Sequence, residues 1–178
     1  MDALTTQTAG LYVKLRAMAS RVQRLNPRQS LVATWQAQLA SKNLDGSEKF
    51  FMGGSQGVRA YPTNEGGGSQ GQSLNLEWQH LWTPGKQRLT LSAFYDIATI
   101  DVNKFNDFTG GASFNTYALQ GGGLWLGGPL AHGWGKPLQW RLTWSRRMGV
   151  NPMASASGLD QDGSYRWDRL WFNVSQPF

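Results

Sequence analysis

Hydrophobic and polar residues alternate one by one along most of this chain. From Leu11 to Ser20, Leu11, Val13, Leu15, Ala17 and Ala19 take one set of positions, and Tyr12, Lys14, Arg16, Met18 and Ser20 take the other. A period of two sends successive side chains to opposite faces of an extended backbone, so the segment predicts a β-strand with one apolar face. The turn Asn26-Pro27-Arg28-Gln29 leads to a second strand, where Leu31, Ala33, Trp35, Ala37 and Leu39 alternate with Val32, Thr34, Gln36, Gln38 and Ala40. Leu74, Leu76 and Trp78 alternate with Asn75, Glu77 and Gln79, and Thr83-Pro84-Gly85-Lys86 joins them to Leu89, Leu91, Ala93 and Tyr95, which predicts a hairpin. Thr116 to Leu126 predicts a fifth strand, although Gly121-Gly122-Gly123 lowers its intrinsic preference and marks either a bulge or a close backbone approach. Leu138, Trp140, Leu142 and Trp144 alternate with Gln139, Arg141, Thr143 and Ser145, and Leu170, Phe172 and Val174 alternate with Arg169, Trp171, Asn173 and Ser175, which makes seven strands.

The connections between these segments sort by length. They are short at 26–30 and 83–87, long at 42–72, 100–115 and 148–166, and intermediate at 127–137. A soluble sandwich has no reason to place its long loops at one end so regularly, whereas an outer-membrane barrel has tight periplasmic turns and long external loops. The pattern therefore predicts an all-β fold, an antiparallel transmembrane β-barrel with a long loop at about 42–72.

Mean hydropathy of −0.44 hides this reading, because barrel strands are apolar on one face only. No apolar run approaches the roughly 18–20 residues of a spanning helix, and the N-terminus lacks a charged segment followed by an apolar core and a cleavage site. With no cysteine in the chain, thiolate catalysis and cysteine-based metal sites are excluded. The formal charge of +6 does not point to nucleic acid, since the basic residues are spread along alternating segments without a dense run. Glycine turns and aromatic strand ends account for the 22 glycines and nine tryptophans.

Few residues suggest chemistry. His80 and His132, the two histidines, sit in no ligand cluster, and Asp160-Gln161-Asp162-Gly163 lacks the spacing and terminal glutamate of a calcium loop, so no metal is expected and the segment reads as an external turn. The run Glu65-Gly66-Gly67-Gly68-Ser69 lacks the Gly-Lys-Ser/Thr ending of a phosphate loop and reads as a flexible hinge. No Ser, His and Asp set stands out for acyl transfer, so neither enzyme activity nor a cofactor is expected. One segment is different. Val58-Arg59-Ala60-Tyr61-Pro62 sets a permanent charge among apolar residues, close to Gly53, Gly54 and Gly57, and such a charge requires a carboxylate or water.

That segment lies within SEKFFMGGSQGVRAYPTNEGGGSQG, residues 47–71, which closely resembles the signature loop of the hemolysin secretion/activation proteins, the two-partner-secretion transporters of the BamA-like superfamily. The resemblance extends through ASKNLDGSEKFF, LNLEW, AFYDIATI, NPMASASGLDQDGS and the ending RLWFNVSQPF. It implies a sixteen-stranded barrel in which residues 1–178 supply the C-terminal seven strands, the long loop follows the eleventh, and two periplasmic polypeptide-transport-associated domains and the earlier strands precede Met1. It also implies that the loop folds into the lumen and that Arg59 pairs with an acid in a motif resembling Phe94-Tyr95-Asp96. Strand parity agrees: with Leu89, Leu91, Ala93 and Tyr95 facing lipid, Phe94 and Asp96 face the lumen, and Glu77 faces it as well. Ala98 departs from the family pattern, which more often has glycine there. C-terminal Phe178 resembles the assembly signal that outer-membrane barrels present to their insertion machinery.

The function implied is an outer-membrane pore that secretes and activates a large exoprotein, a hemolysin or adhesin. Its expected partners are that exoprotein, outer-membrane lipid and the barrel-assembly machinery, with no nucleic acid. The competing readings are a BamA-like outer-membrane protein insertase, a barrel-borne acyl hydrolase and a soluble β-sandwich that binds carbohydrate through its tryptophans.

Overall fold

A computed structural model describes residues 5–130 and 137–176. It is all-β. Seven strands form one antiparallel sheet, each pairing with the next: β1 (Lys14–Asn26), β2 (Gln29–Ala40), β5 (Gln70–Trp82), β6 (Leu89–Asp101), β7 (Thr116–Leu130), β8 (Leu138–Arg147) and β9 (Asp168–Ser175). Inside the loop between β2 and β5, β3 (Phe50–Phe51) and β4 (Gly67–Gly68) form a miniature hairpin. No helix among the described residues is long and apolar enough to cross a membrane, which says nothing about strands.

The seven alternating segments are these seven strands, with different ends. Leu11 and Val13 precede β1, because β2 leaves the sheet after Ala40, the partner of Lys14. At its other end β1 runs on to Asn26, with Arg21 opposite Ala33 and Val22 opposite Val32. There the alternation inverts, a charge falling on the apolar face and a valine on the polar one, which is why the pattern stops at Ser20. The loop expected at 42–72 spans 41–69, since Gly71 and Gln72 already pair with Ile100 and Thr99. Gly121, Gly122 and Gly123 keep continuous register with both neighbours, so the triple glycine is a close approach and not a bulge.

Each strand presents odd and even positions to different surroundings. One face carries Leu15, Leu39, Leu76, Leu91, Leu124, Leu142, Leu170 and Phe172, all exposed, and the aromatic rings of Trp35, Trp78, Trp140 and Trp144 lie among them on the same parity. Apolar surface this extensive suits hydrocarbon, not water. The opposite, inner face carries Ser73, Asn75, Glu77, Ser92, Phe94, Asp96, Thr143 and Ser145. The short connections lie at one end of the sheet and the long loops at the other.

Among the described residues the one sizeable apolar core lies between this inner face and the loop at 41–69. Met52, Val58, Ala60 and Tyr61 from the loop pack against Ala98, Ile100, Tyr117 and Leu119 from the ends of β6 and β7 nearest the long loops. A strand pattern reads Ile100 and Leu119 as apolar residues on the wrong face; the loop is what makes that face dry.

Candidate functional site

The loop reaches its site as a tightly folded hairpin. Beyond the pairing of Phe50 with Gly68 and Phe51 with Gly67, the amides of Met52 and Gly53 donate to the Glu65 carbonyl at 3.2 and 3.0 Å, and Val58 N–H returns to the Met52 carbonyl at 2.7 Å. Such doubling back needs glycine at defined points. Gly54 sits at φ 100°, and a Cβ on Gly53 or Gly57 would come within 2.3 Å of the Pro62 carbonyl oxygen or 2.0 Å of that of Met52. The glycines here permit close packing. The same holds for Gly68, where a Cβ would meet the Asp101 carbonyl oxygen at 2.5 Å, so within the run expected to act as a hinge Gly67 and Gly68 form a packed strand.

At the tip, Arg59 is 5% exposed and Asp96 is fully buried. The guanidinium grips the carboxylate with two parallel bonds, Nε to Oδ2 at 2.8 Å and Nη2 to Oδ1 at 2.7 Å, and the Arg59 backbone N–H adds a third at 3.1 Å. Its remaining arm, Nη1, donates to Glu77 Oε1 at 2.6 Å, and the guanidinium lies 3.5 Å above the centre of the Phe94 ring. Burial opposes the arginine's charge, but the hydrogen bonds and fields of Asp96 and Glu77 outweigh it and its pKa is raised.

The wall completes the arrangement. Asn75 Nδ2 bonds Asp96 at 2.9 Å and the Gly57 carbonyl at 3.0 Å, while Gln79 and Trp125 donate to Glu77 Oε2 at 2.8 and 3.2 Å. The Arg59 carbonyl accepts from Ser145 Oγ and Trp171 Nε1, both at 2.7 Å. Strands β5, β6, β8 and β9 thus all contact this one residue, and β7 supports it through the Trp125 bond to Glu77. Gly121 makes room for the tip: a Cβ there would lie 2.4 Å from that of Ala60.

The structure therefore brings together Val58, Arg59, Ala60 and Tyr61 with Phe94, Asp96 and Glu77, while Pro62 shapes the loop by accepting the Glu65 amide at 3.2 Å. Phe178 lies outside the described residues, as does His132. Asn75, Trp125, Ser145 and Trp171 were not singled out from sequence. Their inward parity was legible, but the alignment of strand heights that gathers them at one level was not.

A second polar cluster also escaped the sequence reading. Asp160, expected in an external turn, is buried, paired with Arg147 and, at 3.1 Å, with Arg169, and receives Asn151 Nδ2 at 3.2 Å. Arg147 lies over the Tyr61 ring at 4.7 Å, and the Gln161 amide donates to Glu65 at 2.9 Å. The loop between β8 and β9 thus closes over the base of the long loop. Among the described residues no group of three or more His, Cys, Asp or Glu could hold a metal; His80 stacks beside Trp78 on the outer face.

The model of the Omp85 superfamily domain matches residues 4–146. No curated protein and no solved structure gives a significant match.

Proposed function

We propose, from the fact that this chain belongs to the Omp85 superfamily of outer-membrane β-barrel proteins, that it is the C-terminal part of a two-partner-secretion pore exporting a large, unfolded exoprotein such as a hemolysin or adhesin. The observation that carries the reading is the loop fastened to the inner wall by Arg59 through Asp96 and Glu77. A pore that opens for a polypeptide needs an obstruction that stays in place yet can be moved. A polar contact among a few side chains serves, because water or a passing chain can replace it. Sheet geometry supports the extent proposed. Among the described residues β1 and β9 each have one neighbour, and lipid cannot satisfy such open edges, so further strands up to the sixteen of the resembling family would close the wall. Periplasmic polypeptide-transport-associated domains would precede them, and Phe178 would present the assembly signal.

An insertase of the same superfamily would use the same wall and loop, so the decisive experiment separates roles in the cell. The gene for the full-length protein is deleted and both the culture medium and the outer-membrane fraction are analysed. Loss of one large secreted protein, with other barrel proteins at normal levels, is the expected result. A general fall in outer-membrane barrels would assign the chain to insertion instead.

A further inference from the structure

Charge is sorted along the barrel axis. The described segments at the short-turn end, 21–31, 79–91, 127–130, 137–141 and 173–176, contain no Asp or Glu, yet they hold Arg21, Arg24, Arg28, Lys86, Arg88 and Arg141. Among the described residues every carboxylate lies in the long loops or at strand ends beside them, except Glu77 and Asp96, and Arg59 engages both of those. In an outer-membrane barrel the short turns face the periplasm. Parity places Arg24, Arg88 and Arg141 on the inner face: Arg24 pairs with Ser30 and that with Gln79, Arg141 pairs with Gly127 and that with Thr90, and Arg88 is two residues before Thr90. Arg24, Arg28 and Arg88 line one cavity of about 390 Å³ with Gln79 and Thr90. Arg141 lines another, of about 500 Å³, with Trp125, Trp171 and the loop-tip residues Ser55 and Gln56.

None of these arginines has a carboxylate partner among the described residues. Arg141 is nevertheless held in place, its guanidinium 4.2 Å from the centre of the Trp125 ring. Charges of one sign lining a low-dielectric concavity focus their field into it and concentrate counter-ions there. Lipid headgroups cannot reach an inner face, so the occupant must come through the lumen.

We propose that this mouth is a receiving site for acidic segments of a polypeptide, whose Asp and Glu carboxylates pair with Arg24, Arg88 and Arg141 before the chain meets the loop tip. The proposal rests on the polypeptide-export reading and adds to it the kind of segment admitted first.

The full-length protein is reconstituted in planar bilayers at about 0.1 M salt, and a Glu-rich or a Lys-rich peptide of equal length is added on the periplasmic side. The Glu-rich peptide should block the current with residence times at least about tenfold longer, and this preference should vanish near 1 M salt, where the Debye length falls to about 3 Å. In a salt gradient the open pore should favour anions. Changing Arg24, Arg88 and Arg141 together to Gln should remove both effects, whereas changing them to Lys should retain both; loss in the Lys variant would show that charge is not the cause and overturn the proposal. Equal blocking by the two peptides, or anion preference unchanged by the Gln variant, would also overturn it. Exclusion of both peptides from a pore that remains anion-selective would instead remove the export reading and leave the cationic mouth standing without a polypeptide to receive.

Discussion

Replacing Arg59 with alanine in the full-length protein should loosen the loop tip without expelling the loop. The change deletes two bonds to Asp96, one to Glu77 and the stacking on Phe94. Breaking a buried ion pair costs about 3–5 kcal/mol. The lower figure applies here, because Asp96 keeps the backbone N–H of residue 59 and Asn75 Nδ2. Against that loss stand Met52, Val58 and Tyr61, each at most 1% exposed, whose burial contributes about 1.5–3 kcal/mol apiece. Apolar anchoring therefore outweighs the missing pair. About 3 kcal/mol corresponds to roughly a hundredfold rise in the open population of the tip. Hydrogen exchange of the peptide covering 50–66, measured in lipid nanodiscs, reads that population directly. Asp96→Ala should accelerate exchange less, since Arg59 retains Glu77, and the double mutant should fall short of the summed effects by about 1–3 kcal/mol. Arg59→Lys should rescue little, as an ammonium has neither the fork nor the planar stack. Strictly additive effects, or unchanged exchange in both single mutants, would refute the reasoning.

Gly121→Leu should drive the tip from the wall, because even a Cβ there would sit 2.4 Å from that of Ala60; limited proteolysis should then cut within 50–68 while the barrel remains folded. Leu142→Arg, on the outer face, should cost about 2–4 kcal/mol if the residue lies near the bilayer midplane, whereas Gln139→Arg on the inner face of the same strand should cost little; urea titration in liposomes compares them. Asp160→Ala leaves Arg147 and Arg169 without their shared carboxylate and should free the loop between β8 and β9, seen as faster proteolysis at 150–165, whereas Asp168→Ala, which removes an exposed pair with Arg146, should change little.

The order of residues alone specified the strands and their facing, because a period of two is a local property: Leu91 and Asp96 are assigned to opposite faces by counting alone. It also determined that Arg59 needed a partner, since a charge among Val58, Ala60 and Tyr61 is costly unless paired. Strand ends were less legible. β1 outruns its pattern because pairing with β2, not alternation, holds its last residues. Height along the barrel, and which loop covers which wall, emerge only once the strands are paired and the loops are folded back. Parity gives Asn75, Trp125, Ser145 and Trp171 a face but no level; continuous register between neighbouring strands places them around one arginine. Parity likewise could not tell that Ile100 and Leu119 line a dry core, because the residues that exclude water from them lie 39 to 67 positions earlier, at Met52 and Tyr61. Asp160 reads as a turn residue in one dimension and becomes a buried anchor because Arg147 and Arg169, on strands flanking its loop, both point inward. The cationic mouth arises the same way: basic residues dispersed along the chain come to one end when antiparallel strands return every short turn to the same side.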